Sequence, residues 1–165
     1  MSTLENFKKE LEQESIVTRK MLSIIPADRY DWQPHVKSMS IKQLAGHIAE
    51  LPSWIAMAFT TEELDFAVVG YAPPVWNSTE ELLEILEKSI VEANEQLDNA
   101  QEEDLLPEWL LRHGDDILSK LTKGGLVRLA LSQTIHHRAQ LGVYLRLLDV
   151  PIPGSYGPSA DDPKF

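Results

Sequence analysis

The chain has 165 residues, enough for one domain with its own core and too few to expect two. With 43% hydrophobic and 25% charged residues it has the make-up of a globular protein, and no apolar run approaches the roughly 20 residues of a membrane span. Fifteen Lys and Arg against 26 Asp and Glu leave a net charge of -11, which repels phosphate backbones and anionic lipid surfaces, so neither nucleic acid nor membrane is an expected partner.

The absence of cysteine excludes disulfides, thiolate ligands and a cysteine nucleophile. Residues 1–10 mix acids and bases without an apolar stretch, so a cytoplasmic location is expected. In chain order, Leu4, Phe7, Leu11, Thr18, Leu22 and Ile25 recur at helical spacing and predict a first helix ending before Pro26. Ser40 and Gln43 have the spacing of a capping box, with Met39 and Leu44 placed as a hydrophobic staple, and open a second helix through Leu44, Ile48, Leu51 and Ile55. Pro52 removes one of its backbone donors, and a kink is expected there. A Gly- and Pro-bearing connection over 70–76 leads to a second capping box, Ser78 with Glu81, and a third helix with the stripe Leu82, Leu86, Ser89, Ala93 and Leu97.

Residues 100–125 show no helical period, and a short hairpin or an irregular crossover around Gly114-Asp115 fits them equally. A fourth helix, over about 125–149, is apolar on nearly every side, as for a central helix or one covered by a partner subunit. The stretch from about 150 onward, led by Pro151-Ile-Pro-Gly154, is too rich in Pro and Gly for a helix. The pattern predicts an all-α protein, a single domain over 1–165 built as an antiparallel four-helix bundle with two long connections.

Steps of four and three along the fourth helix place Leu126, Ala130, Gln133, His137, Leu141 or Gln140, Tyr144 and Leu148 on one inward stripe. Gln133 and His137 then share a face one turn apart, while His136 lies about 100° away. In the second helix His47, between Leu44 and Leu51, is on or beside the buried stripe. A buried imidazole must be satisfied, and two from different helices make either a hydrogen-bonded pair or a metal site with open coordination positions. Glu50, three after His47, is a further ligand or a base in one reading and an exposed helix carboxylate in the favoured one. His136 and Arg138 could orient His137 or bind substrate, and equally could serve helix packing or dimer contacts. His35 is expected to make a structural loop contact and His113 to lie in a solvated turn.

The segments Asp31-Trp-Gln-Pro-His35, Ser38-Met-Ser40, Leu44-Ala-Gly-His-Ile-Ala-Glu-Leu51, His136-His-Arg-Ala-Gln-Leu-Gly-Val-Tyr-Leu-Arg-Leu147 and Pro153-Gly-Ser-Tyr-Gly-Pro-Ser-Ala-Asp161 resemble, in order, the DinB superfamily, also called DinB/YfiT-like. The resemblance runs from about residue 17 to 162. It implies a four-helix bundle, a homodimer and a divalent metal, nickel or zinc, held by one histidine of the second helix and a His-x-x-x-His pair of the fourth. Those positions fall on His47, residue 133 and His137, with Glu50, His136 and Arg138 around them. Residue 133 is Gln, a weaker donor than imidazole for late transition metals, so the ion should be held weakly or not at all. For some branches the resemblance implies a transferase or hydrolase acting on a small-molecule substrate, with a low-molecular-weight thiol as cosubstrate. The competing expectation is a metal-poor, non-catalytic bundle that serves as a stress-related binding or interaction protein.

Overall fold

The computed structural model describes residues 2–70 and 72–163; Met1, Tyr71 of the Gly- and Pro-bearing connection, Lys164 and Phe165 lie outside the described residues. Among the described residues are five α-helices and three short strands: α1 (Thr3–Ser23), α2 (Ile41–Thr60), β1 (Glu63–Asp65), α3 (Phe66–Val69), α4 (Thr79–Asn99), β2 (Glu108–His113), β3 (Asp116–Thr122) and α5 (Lys123–Leu147). Each long helix begins at a hydroxyl that satisfies an otherwise unpaired N–H of the first turn: Ser2, Ser40, Ser78 and Thr122. The predicted box at Ser40 and Gln43 is present in both directions, at 3.3 and 2.9 Å. The predicted box at Ser78 is only half formed. Ser78 Oγ accepts from the Glu81 N–H, but Glu81 Oε2 reaches past the cap to the N–H of Asn77. Helix α2 continues through Pro52 to Thr60.

Helices α1 and α2 each pack against both α4 and α5, so α1 lies diagonally across from α2 and α4 across from α5. This explains the apolar circumference of α5: it is covered by α1 on one side and α2 on another, and Leu126, Val127, Ala130, Leu131, Leu141 and Leu145 are all buried. The core forms two clusters. One gathers around Ile41, Leu44, Trp76, Leu82 and Leu141, the other around Phe7, Ile55, Leu97, Trp109 and Leu131. Between them, buried polar groups from two helices, Glu14, Thr18, Thr134 and Arg138, form a layer across the core. Both buried indoles find acceptors, Trp76 Nε1 at the Lys42 carbonyl and Trp109 Nε1 at Thr61 Oγ1.

The three strands correct the all-α expectation. They form one sheet in the order β1-β2-β3, with β1 parallel to β2 and β2 antiparallel to β3. Trp109 is buried and Leu111 and Leu121 half-buried, but a bulge between Leu111 and Arg112 breaks the alternation after three residues. A period of two never accumulates in the sequence. The hairpin closes through Gly114 and Asp115, and Gly114 takes the positive φ, 58°, that a two-residue hairpin loop requires. Asp65 accepts from the N–H groups of Gly114 and Ala67, which holds its carboxyl below the ordinary value and ties the hairpin to the end of β1.

Candidate functional site

Helices α2 and α5 bring His47 and His137 together, their rings edge to face with centroids 4.8 Å apart. On α2, Glu50 is one turn after His47, and its Oε1 stands 2.7 Å from His47 Nδ1, with both side chains 16% exposed. A carboxylate only accepts, so Nδ1 carries a proton, and in the neutral ring Nε2 is then the nitrogen that can offer a lone pair. The expectation that Glu50 is a solvated carboxylate is therefore corrected: a three-residue spacing turns it onto the imidazole, a partnership that periodicity alone does not distinguish from exposure. On α5 the same device recurs, with His137 Nδ1 3.0 Å from the Gln140 amide oxygen. Gln140 was not among the predicted site residues; its spacing of three from His137 is the signal that could have found it.

Burial pushes the His137 imidazole below its ordinary value, and the neighbouring His47 and His136 push the same way against the Gln140 hydrogen bond. Its neutral, lone-pair-bearing form is favoured. Gln133 is half-buried one turn before His137. His136 is exposed, though its ring stands edge-on 4.9 Å from that of His137. Trp54 lies beside His47 with ring centroids 6.4 Å apart, and Tyr144, two turns beyond His137, meets Trp32 at 5.7 Å.

The predicted inward stripe of α5 is displaced at this level. Gln133 and His137 are half-buried, and the fully buried positions are Thr134 and Arg138, each one residue further round. Arg138 is 3% exposed and points toward α1, where Nη2 meets Glu14 Oε2 at 2.6 Å as an ion contact off the hydrogen-bond direction. Its Nη1 donates to the Glu14 carbonyl and Thr18 Oγ1, and its Nη2 to the hydroxyl of Tyr156. That hydroxyl donates in turn to Glu14 Oε1 at 2.8 Å. Arg138 is thus a core ion pair on the α1 side, and the reading of it as a neighbour of the histidine site is corrected.

His35 makes its loop contact, Nδ1 accepting from the Lys37 N–H, and His113 is exposed at the end of β2. Among the described residues no three His, Cys, Asp or Glu side chains come within reach of one ion. The residues that could serve a metal here are two imidazoles with oriented rings and, one turn before His137, the half-buried amide of Gln133. This fits a divalent ion with two strong donors and one weak one, leaving positions open.

The DinB family model matches residues 1–164. The chain belongs to the DinB family. It is 33% identical over 136 residues to the uncharacterized protein YjoA of Bacillus subtilis, covering 79% of this chain and 80% of that protein. It is also 23% identical over 164 residues to the uncharacterized YrdA of the same organism, covering 97% and 92%. Its fold is similar to that of a DinB-like protein from Bacillus cereus, with a TM-score of 0.71 at 19% identity over 92% of this chain and 97% of that one. The mycothiol-dependent maleylpyruvate isomerase shares the fold at a TM-score of 0.59 and 12% identity, over 86% of this chain and 63% of its own.

Proposed function

We propose that this DinB protein is a metal-dependent enzyme, a transferase or hydrolase, whose site is the α2–α5 histidine pair with Gln133. The observation that carries the reading is the pairing itself: two imidazoles 4.8 Å apart on different helices, each with Nδ1 engaged by a side-chain oxygen one turn on. A buried structural histidine must also be satisfied, but two rings that face each other, each with its second nitrogen held by an oxygen, have the arrangement that metal-ligating histidines almost always show. A divalent ion held there, nickel or zinc, would lower the pKa of a low-molecular-weight thiol so that it attacks a small electrophile as thiolate at neutral pH. His47 and His137 would hold the ion, with Gln133 as a further donor, while Glu50 and Gln140 fix the two rings. The fold shared with a mycothiol-dependent isomerase supports the choice of a thiol. In this reading the four long helices are the family's antiparallel bundle, and the protein is a cytoplasmic homodimer, for which light scattering should give about twice 18.6 kDa.

A second reading, a metal-poor binding or interaction protein, is favoured by one observation, the amide at 133 in place of a third imidazole. Metal content of tag-free protein prepared without chelator, followed by calorimetric titration with nickel and zinc, separates the two. Saturable binding at one ion per chain that is lost in His137→Ala supports the enzyme. Equal, weak binding in both supports the alternative.

A further inference from the structure

On the opposite side of α5 from the histidines, the segment after Leu147 folds back along the helix and leaves an open groove of about 470 Å³ between them. Its wall is fixed by polar ties at both ends. Tyr156 is anchored on the buried Arg138–Glu14 pair. Asp161 pairs with Arg146 and accepts from the N–H of Ile152, and Ser159 Oγ donates to the Ile152 carbonyl. The turn between these anchors is shaped by Gly154, where a Cβ would stand 2.7 Å from the Gly157 carbonyl oxygen, so only glycine fits. The segment is held off the helix as a wall and does not collapse onto it.

The interior is apolar, lined by Met21 of α1, Ala139, Val143 and Leu147 of α5, and Ile152 of the wall. Val143 and Leu147 remain 59% and 60% exposed. One lining cation is only partly used: Arg146 is paired to Asp161 through Nη2, and a guanidinium has five N–H donors. Of the two lining arginines, Arg138 is satisfied by Glu14, Thr18 and Tyr156, whereas Arg146 at the rim keeps N–H donors beyond its pair with Asp161. An apolar groove of this size with such donors at its edge is the build of a small-molecule site, and the donors suit an acceptor such as a carboxylate.

We propose that this groove is a binding site for a small carboxylate with an apolar body, which lies along Ala139, Val143 and Leu147 with its carboxylate on Arg146. The site is separate from the histidine pair and does not depend on metal. The test is calorimetric titration of the full tag-free chain with decanoate, below its micelle concentration, and with decanol as the uncharged counterpart. Decanoate should bind saturably at one per chain, and decanol about tenfold more weakly, the order of effect of one charge-assisted hydrogen bond. Ala139→Phe fills the groove from an exposed helix position without touching the ties and should abolish binding of both; its melting curve reports that it folds. Arg146→Met should bring decanoate down to the decanol affinity. Equal decanoate binding by wild type and Ala139→Phe overturns the proposal, as does no saturable binding by wild type. Absence of binding together with a dimer mass that falls to 18.6 kDa in Ala139→Phe also overturns it, and assigns this face to a second copy of the chain.

Discussion

Two neighbouring residues of α5 carry the contrast that organises this molecule. Arg138 is 3% exposed and its guanidinium meets Glu14, Thr18 and Tyr156 from three directions. His137, one peptide earlier and about 100° round the helix, is half-buried and faces a second imidazole, which cannot neutralise it. A buried charge is tolerated when its partners are complete, and such a pair is architecture. An oriented, neutral, half-buried base beside another is the arrangement that can hold something from solution. Burial of a polar group does not by itself mark a site; under the proposed function, what marks it is the pair of facing rings, each with its Nδ1 held by a side-chain oxygen.

If this contrast is right, the two sites respond oppositely to mutation. The largest effect belongs to Arg138→Met, which strands the Glu14 carboxylate between the two core clusters and should cost about 3–5 kcal/mol in urea denaturation. Removing both charges together, in Glu14→Leu/Arg138→Met, should recover most of that loss; a double variant as unstable as the single one would mean that the pair is needed for more than mutual compensation. On the other side, Glu50→Gln should barely change stability yet weaken nickel or zinc binding about 10–100-fold, because it loosens the His47 ring and its tautomer. Unchanged metal affinity in Glu50→Gln would reduce the His47–Glu50 contact to helix packing. Gln133→His should raise nickel and zinc affinity by about tenfold or more and add metal-dependent thermal stabilisation, since an imidazole replaces an amide at an otherwise unaltered position. Adding His137→Ala should remove that gain.

The same contrast separates what the sequence makes legible from what it hides. Helix starts at Ser40 and Ser78 and the stripe from Leu82 to Leu97 are local signals, written within one or two turns, and they can be read directly. The convergence of His47 and His137 was readable because each lies on a periodic face and only one further step, the packing of α2 on α5, had to be supplied. The Glu14–Arg138–Tyr156 network was not readable, because Glu14 is more than a hundred residues from both its partners and Tyr156 comes from a segment with no period. The β2–β3 hairpin around Gly114-Asp115 was one of the two readings of that stretch, but the parallel pairing of Glu63 with Leu110 was not readable, because it spans α3 and α4 and the alternation of β2 is cut by a bulge. The inward stripe of α5 came out one residue off at this level because α1 and α2 cover the helix from two directions, so there is no single inward face to follow.

The smallest effect concerns pH and tests the histidine side by itself. Burial, with the two neighbouring imidazoles, places the folded-state pKa of His137 below the ordinary 6.5, so the folded state prefers the neutral ring. Above 6.5 both folded and unfolded chains carry the ring neutral, and its full contribution to stability is present. As pH falls below 6.5 the unfolded chain takes up the proton first, the unfolded state is favoured, and the contribution is lost progressively through the folded-state pKa. The urea midpoint should therefore decline between pH 7 and pH 5 in wild type and decline less in His137→Gln. Bound zinc should deepen the dependence, because a metal-ligating imidazole must stay deprotonated and protons then compete with the ion. A decline of the same depth in wild type and His137→Gln would show that other groups dominate, and that the α2–α5 pair is more open to water than its geometry indicates.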